Sequence, residues 1–215
     1  MNEQRSYGAG WGLDLVRFTL TYDGPLPSGG NSSHLPIKQR IRQTLHPQIR
    51  SVWRNHPAFD EDELLKAMVE NEDRFINRGR FTFIPIVRRY LHLFCEIDIL
   101  LLRREAPGAI VHRGDLDNRL KILFDALRAP NDPSELKGLR YPRPKGKAVK
   151  LDGHVYPPPF FCLLEDDALI TGVKVDTAQL FEPLKRGTEN HVRLVMRVSV
   201  KLSKLTKANL AFVGD

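Results

Sequence analysis

The strongest constraint on this chain is an amphipathic segment at residues 115–128, which reads DLDNRLKILFDALR. Its leucines recur at helical spacing and form one apolar stripe. The stripe consists of Leu116, Leu120, Leu123 and Leu127. Another face of the same helix carries Asp117, Lys121, Asp125 and Arg128. The pattern predicts a helix that packs on a sheet through its leucines and presents a carboxylate and a lysine outward.

Apolar runs, several of them with strict alternation, predict six strands around this helix. They are residues 13–22, 80–87, 90–102, 160–164, 170–175 and 191–202. We expect residues 80–87 and 90–102 to form a strand pair. The sequence thus predicts an α/β (α+β) fold with a mixed β-sheet of about four to six strands flanked by helices. We expect a single domain that spans residues 1–215.

The segments between the strands are less regular. Apolar spacing predicts helices at residues 36–53 and 60–75, inside a helical segment at 34–78, and Pro47 could break the first into two pieces. Residues 129–159 are rich in Pro, Gly and Lys and predict a long loop insertion. We expect the tail from Ser203 to be loosely held.

The chain is basic, with a net charge of +7 and a pI near 9.5. This balance favours an anionic partner, nucleic acid first, although a solvated basic surface fits the charge as well. Cys95 and Cys162 each lie in an apolar run and are expected to be buried and reduced. The sequence shows neither a signal pattern at its N-terminus nor an apolar run that could span a membrane, so we expect a cytoplasmic protein.

Two acidic groups are candidates for metal binding. Asp115 and Asp117 begin the predicted helix, and residues 165–167 follow a predicted strand. Carboxylates are the ligands that Mg²⁺ prefers. Acidic residues also cap helices and turns, and for Asp115 and Asp117 taken alone capping is the more common role. Asp125 lies roughly 12 Å along the helix axis from Asp117, too far to share one metal ion with it.

The motif G-D-L-D-N-x-x-K-x-x-x-D-A-L, followed by an apolar strand and D-D, resembles the signature of the RusA family of Holliday junction resolvases. The matching positions are Asp115, Leu116, Asp117, Asn118, Lys121, Asp125, Ala126, Leu127, Asp166 and Asp167. The strand at residues 13–22, its Pro/Gly loop and the strand before the motif are also similar to the family. The resemblance is weak or absent across residues 34–78 and 129–159.

This resemblance implies a homodimeric, Mg²⁺-dependent endodeoxyribonuclease, with Mn²⁺ as a possible substitute, that nicks four-way DNA junctions in pairs during recombination and repair. It implies a bacterial, prophage or phage origin. Asp115, Asp117 and Asp167 would be metal-binding carboxylates, and Asp166 an accessory one. Lys121 would lie near the scissile phosphate. Asp125 matches the motif, but its distance predicts a role in the structure or the dimer.

The long connection between the two acidic groups departs from the family pattern. Its basic run predicts a DNA-binding loop, in which Tyr141 could stack on an unpaired base, or else a loop with no partner. The basic residues are Lys137, Arg140, Arg143, Lys145, Lys147 and Lys150. The segment 34–78 is a second candidate for DNA contact. Its basic residues are Lys38, Arg40, Arg42, Arg50 and Arg54.

Two other functions remain open at this point. One is a non-catalytic protein that binds branched DNA, and the other is a metal-dependent phosphohydrolase with a small phosphorylated substrate. Neither a phosphate-binding P-loop motif nor a dinucleotide-binding glycine motif occurs in the sequence, which argues against nucleotide-fuelled or dinucleotide chemistry.

Overall fold

The computed structural model describes residues 13–29, 34–56, 59, 75–104, 115–141, 149–151, 154–156, 158–181, 190–206 and 209. For residues 13–14, 115, 149–151 and 154–156 it describes the backbone alone. The strands are β1 (Leu13–Pro25), β2 (Ile76–Arg78), β3 (Phe81–Val87), β4 (Leu93–Arg103), β5 (Val149–Leu151), β6 (His154–Tyr156), β7 (Phe160–Leu164), β8 (Ile170–Gln179) and β9 (His191–Leu202). The helices are α1 (Leu35–Asn55) and α2 (Asp115–Leu127), and 3₁₀ turns occupy Pro133–Leu136 and Asp167–Leu169.

Four strands form the main sheet in the order β1-β9-β4-β8. β9 runs antiparallel to both of its neighbours, whereas β8 runs parallel to β4, so the sheet is mixed. Along β4, Cys95, Ile97 and Ile99 are buried, while Glu96 and Asp98 point to the opposite, more exposed face. The alternation confirms the period-two prediction for this strand. Together with the two helices, the sheet confirms the predicted mixed α+β fold.

The predicted pairing of residues 80–87 with residues 90–102 is wrong. β3 lies in a second sheet, of order β2-β3-β7, and runs parallel to β7. Every residue of β3 and of β7 is buried. Strands that are buried on both faces are typical of parallel pairs. The loop predicted at residues 129–159 contains the first 3₁₀ turn and the short β5–β6 hairpin.

Helix α1 continues through Pro47, so the predicted break at this residue does not occur. Pro47 lies on the exposed side of the helix. A proline inside a helix removes one backbone hydrogen bond, which costs about 3 kcal/mol. Apolar residues on both sides of Pro47 hold the helix to the core and offset this cost. They are Ile41, Leu45, Ile49 and Trp53, each at most 4% exposed.

The main core lies between one face of the four-stranded sheet and the two helices. Helix α2 confirms its prediction, since Leu123 and Leu127 are buried and Leu116 and Leu120 pack partly buried against the same core. Both cysteines are free and buried, as predicted, and burial raises the pKa of each thiol to about 12. The helix predicted at residues 60–75 falls outside the described residues except for Phe75.

The start of the C-terminal tail is held in place, contrary to the prediction. Ser203 donates hydrogen bonds from its backbone N–H and its Oγ to the carbonyl of His92. Asn209 is fully buried, and its Nδ2 donates to the carbonyl of Leu91 at 2.9 Å. The prediction of a loose tail rested only on the general tendency of chain termini to be poorly ordered, which does not take these bonds into account.

The outer edge of β1 is bonded to a side chain of α1. The Gln48 Oε1 accepts from the N–H of Thr21 at 2.9 Å, and the Gln48 Nε2 donates to the Thr21 carbonyl at 2.8 Å. One amide side chain thereby satisfies both backbone groups that a neighbouring strand would satisfy at this residue.

Within the described part of the chain, neither helix combines the length and apolarity needed to cross a membrane.

Candidate active site

Helix α2 presents Asp117 and Lys121 to solvent on the side away from its buried leucines. The helix begins at Asp115, whose side chain lies outside the described residues. Asp117 and Lys121 are four residues apart and are therefore neighbours on the helix surface. This arrangement puts a carboxylate and an ammonium side by side at one exposed position.

The second acidic group forms a short turn at the end of β7, residues 165–169, which we call the acidic turn. The N–H of Glu165 donates to the carbonyl of Val87 at 3.0 Å, which fixes the turn to the end of β3. Asp166 accepts a hydrogen bond from the N–H of Ala168 at 2.9 Å and so caps the 3₁₀ turn. Asp167 is exposed. Capping, one of the two roles considered for these residues, is therefore observed for Asp166.

The fold brings helix α2 and the acidic turn into contact, although 37 residues separate the end of the helix from the start of the turn. No described residue forms an ion pair or hydrogen bond with the side chains of Asp117, Lys121 or Asp167. Exposed carboxylates without protein partners retain oxygen atoms that can bind a hard cation. Among the side chains that the structure describes, no group of three His, Cys, Asp or Glu residues is close enough to hold a metal ion. A site that includes Asp115 therefore stays a prediction.

Asp125 has a different environment from Asp117. Its Oδ2 is 2.7 Å from the Lys38 Nζ, and its Oδ1 is 3.4 Å from a guanidinium nitrogen of Arg128. The Asp125 side chain is 17% exposed. These contacts tie α2 to α1, which is the structural role that its distance from Asp117 predicted.

Sequence reasoning missed the turn between β3 and β4, which lies against the acidic turn. The Glu165 Oε2 accepts a hydrogen bond from the N–H of Arg89 at 2.8 Å. A guanidinium nitrogen of Arg89 is 4.0 Å from the Asp166 Oδ2. Tyr90 follows and is 46% exposed. The sequence signal was the run Arg88-Arg89-Tyr90 between two strands, a basic and aromatic turn that the interpretation of the strand pair did not consider.

The predicted DNA-binding loop is only partly described. Lys137 and Arg140 are exposed, whereas Arg143, Lys145 and Lys147 lie outside the described residues, and Lys150 is described by its backbone in β5 alone.

Tyr141 does not present a free ring for stacking on a base. Its ring packs against Phe81 and Phe160, with centroid distances of 5.0 and 5.9 Å. Burial raises the pKa of the Tyr141 hydroxyl to about 12. Tyr141 packs partly buried against the smaller apolar cluster of β3 and β7, so its ring has a structural role.

The basic residues of α1 divide into two groups. Lys38 pairs with Asp125, and Arg42 is only 2% exposed, so these two hold the structure together. Arg50 is half-buried over the ring of Phe161. Arg40 and Arg54 are exposed.

Comparisons with protein-family models, curated proteins and solved structures find no match to this chain.

Proposed function

We propose that this protein is a Mg²⁺-dependent, structure-selective endodeoxyribonuclease that resolves four-way DNA junctions by paired nicking, as the resemblance to the RusA family implies. We place its action in recombination and repair, in the cytoplasm of a bacterium or on the DNA of a phage. The observation that carries the proposal is the contact between helix α2 and the acidic turn. This contact brings two elements of the predicted motif, which are distant in sequence, to one exposed surface.

The residues of this surface suit hydrolysis of a phosphodiester. Asp117 and Asp167 would hold a Mg²⁺ ion through their carboxylate oxygens, and Asp115 and Asp166 lie beside them in sequence. A bound Mg²⁺ ion supplies an activated water and stabilises negative charge on the phosphate. Lys121, next to Asp117, is a cation that can bind a non-bridging phosphate oxygen and stabilise the charge that develops there. The net charge of +7 favours approach of a polyanion.

A synthetic four-way junction with labelled strands tests the proposal. We expect symmetric nicks in two strands when Mg²⁺ is present, no cleavage in EDTA, and no cleavage of a linear duplex of the same sequence. Tight binding without nicks would instead indicate a non-catalytic protein for branched DNA. Hydrolysis of a small phosphate ester without junction cleavage would indicate a phosphohydrolase.

Paired nicking requires two sites, and β8 offers a surface for a second copy of the chain. Among the described strands β8 pairs with β4 alone, so its other edge is open. An antiparallel pairing of β8 with β8 of a second copy, with the two-fold axis at Val175, places Lys174 opposite Asp176 of the partner subunit. The reciprocal pair forms on the other side of the axis, and opposite charges across strands stabilise such a pairing.

Charge reversal at this edge tests the dimer. We expect Lys174→Glu to place like charges opposite each other twice and to weaken self-association by about tenfold. The double variant Lys174→Glu with Asp176→Lys restores opposite charges and should restore association. Sedimentation equilibrium measures the dissociation constants. A single variant that associates as well as wild type, or a double variant no better than the single one, would contradict this interface.

A further inference from the structure

The acidic turn is bonded to the turn between β3 and β4 along one edge. The Val87 carbonyl accepts from the N–H of Glu165, and the Glu165 carboxylate accepts from the N–H of Arg89. The Arg89 side chain is 67% exposed, with one guanidinium nitrogen 4.0 Å from Asp166. An exposed cation is therefore fixed at the border of the candidate active site.

The neighbouring Tyr90 is partly exposed, and its ring packs against the buried Arg88. The Arg88 guanidinium carbon lies 5.9 Å from the centre of the Tyr90 ring, and the Arg88 Nη1 donates to the Tyr90 hydroxyl at 3.4 Å. Arg88 is itself only 3% exposed, and its Nε donates to the carbonyl of Pro85 at 2.7 Å. A 46% exposed aromatic ring on such a support loses little freedom when it binds a flat ligand.

The other end of this turn is also held. The carbonyl of Leu91 accepts from the buried Asn209, and the carbonyl of His92 accepts from Ser203. His92 has a positive φ of 53°, a backbone conformation that residues other than glycine rarely adopt. Hydrogen bonds from the acidic turn and from the C-terminal tail thus stabilise the shape of the turn between β3 and β4.

We infer that Arg89 and Tyr90 form a binding site for branched DNA, in which Tyr90 stacks on a nucleobase whose stacking is interrupted at the branch point and Arg89 binds the adjacent phosphate. This inference rests on the proposed function and adds to it how a branch point would be distinguished from a continuous duplex. In a linear duplex every base is paired and stacked, whereas a branch point offers bases that an aromatic ring can reach. The guanidinium binds phosphates in either substrate.

Binding measured in EDTA, where no cleavage occurs, separates the two residues. We expect Tyr90→Ala to lower the affinity for a four-way junction by about tenfold and to leave the affinity for the matched linear duplex unchanged. Tyr90→Phe keeps the ring and should keep the selectivity. We expect Arg89→Gln to weaken both complexes and to reduce the slope of log K against log salt by about one.

Two exposed residues elsewhere on the surface provide matched controls. Phe181 is 86% exposed beyond the far end of β8, and Arg197 is exposed on the open face of the main sheet. We expect Phe181→Ala to leave the junction selectivity at the wild-type level. Arg197→Gln should change the salt slope less than Arg89→Gln does.

The outcomes distinguish this inference from the proposed function. A wild-type protein that binds junction and duplex equally well would overturn both. A junction-selective wild type whose selectivity survives Tyr90→Ala, or is lost as fully in Tyr90→Phe, would overturn the inference alone. Thermal melting followed by circular dichroism verifies that each variant is folded.

Discussion

The Asp117→Asn variant is expected to lose junction cleavage by about 10³-fold and to keep its affinity for the junction. The substitution removes the negative charge of an exposed carboxylate that makes no hydrogen bond or ion pair with any described residue. Its effect on the fold is confined to the favourable interaction with the helix N-terminus, a few tenths of a kcal/mol. Nicking rates at saturating protein, with a gel-shift assay in EDTA beside them, measure the two properties separately.

Asp125→Asn is the matched control, because it makes the same chemical change two turns further along α2. Asp125 pairs with Lys38 and Arg128, so we expect this variant to lower the melting temperature and to cleave the junction at a rate close to that of wild type. Cleavage by Asp117→Asn at the wild-type rate would contradict the assignment of Asp117. Equal loss in both variants would show that the two carboxylates act in one site.

Arg42→Ala is expected to lower the free energy of unfolding by about 2–4 kcal/mol. The Arg42 Nη2 donates to the carbonyl of Asp125 at 2.7 Å, one of the last carbonyls of α2, which have no partner within the helix. The same nitrogen is 3.3 Å from the Glu135 Oε2. Because Arg42 is 2% exposed, the alanine variant leaves both acceptors without their donor and creates a cavity.

Urea denaturation provides the measurement, and Arg40→Ala provides the control. Arg40 lies two residues away on the same helix and is exposed, so its loss should change the free energy of unfolding by less than about 0.5 kcal/mol. Arg42→Lys keeps the positive charge but loses the planar guanidinium group with its several N–H donors. We expect its free energy of unfolding to lie between those of wild type and Arg42→Ala. If Arg42→Ala were as stable as Arg40→Ala, the buried contacts of Arg42 would contribute nothing to the free energy that holds α1 against α2.

Local periodicity predicted the elements that have one buried face. The boundaries predicted for β9 match the structure, and those of α2 agree to within one residue, because both segments alternate between core and solvent at a fixed period. Periodicity and composition also located β3 as a strand, but the partner predicted for it was wrong. A strand buried on both faces has no alternation, and its partner β7 lies more than seventy residues away along the chain, so no local pattern indicates the pairing.

In the candidate site, too, local sequence patterns predicted some features and missed those that depend on contacts between distant segments. The helix surface with Asp117 and Lys121, and the separate role of Asp125, followed from helical spacing. The position of Arg89 and Tyr90 beside the acidic turn did not, because it depends on hydrogen bonds between two loops that follow different strands. Tyr141 shows the opposite error. Its place in a basic, proline-rich segment suggested an exposed ring, but the ring packs partly buried against Phe81 and Phe160.

The amide of Gln48 has a consequence for how large an assembly of this chain can grow. By occupying both backbone groups of Thr21, it makes the β1 edge of the main sheet a poor template for another strand. Among the described strands β8 pairs with β4 alone, and its Lys174 and Asp176 form an ion pair with each other at 3.1 Å. In the proposed dimer, the β8 edges of two copies pair with each other and each β1 edge stays protected at Thr21, so we expect the assembly to stop at two subunits and not to grow into a filament.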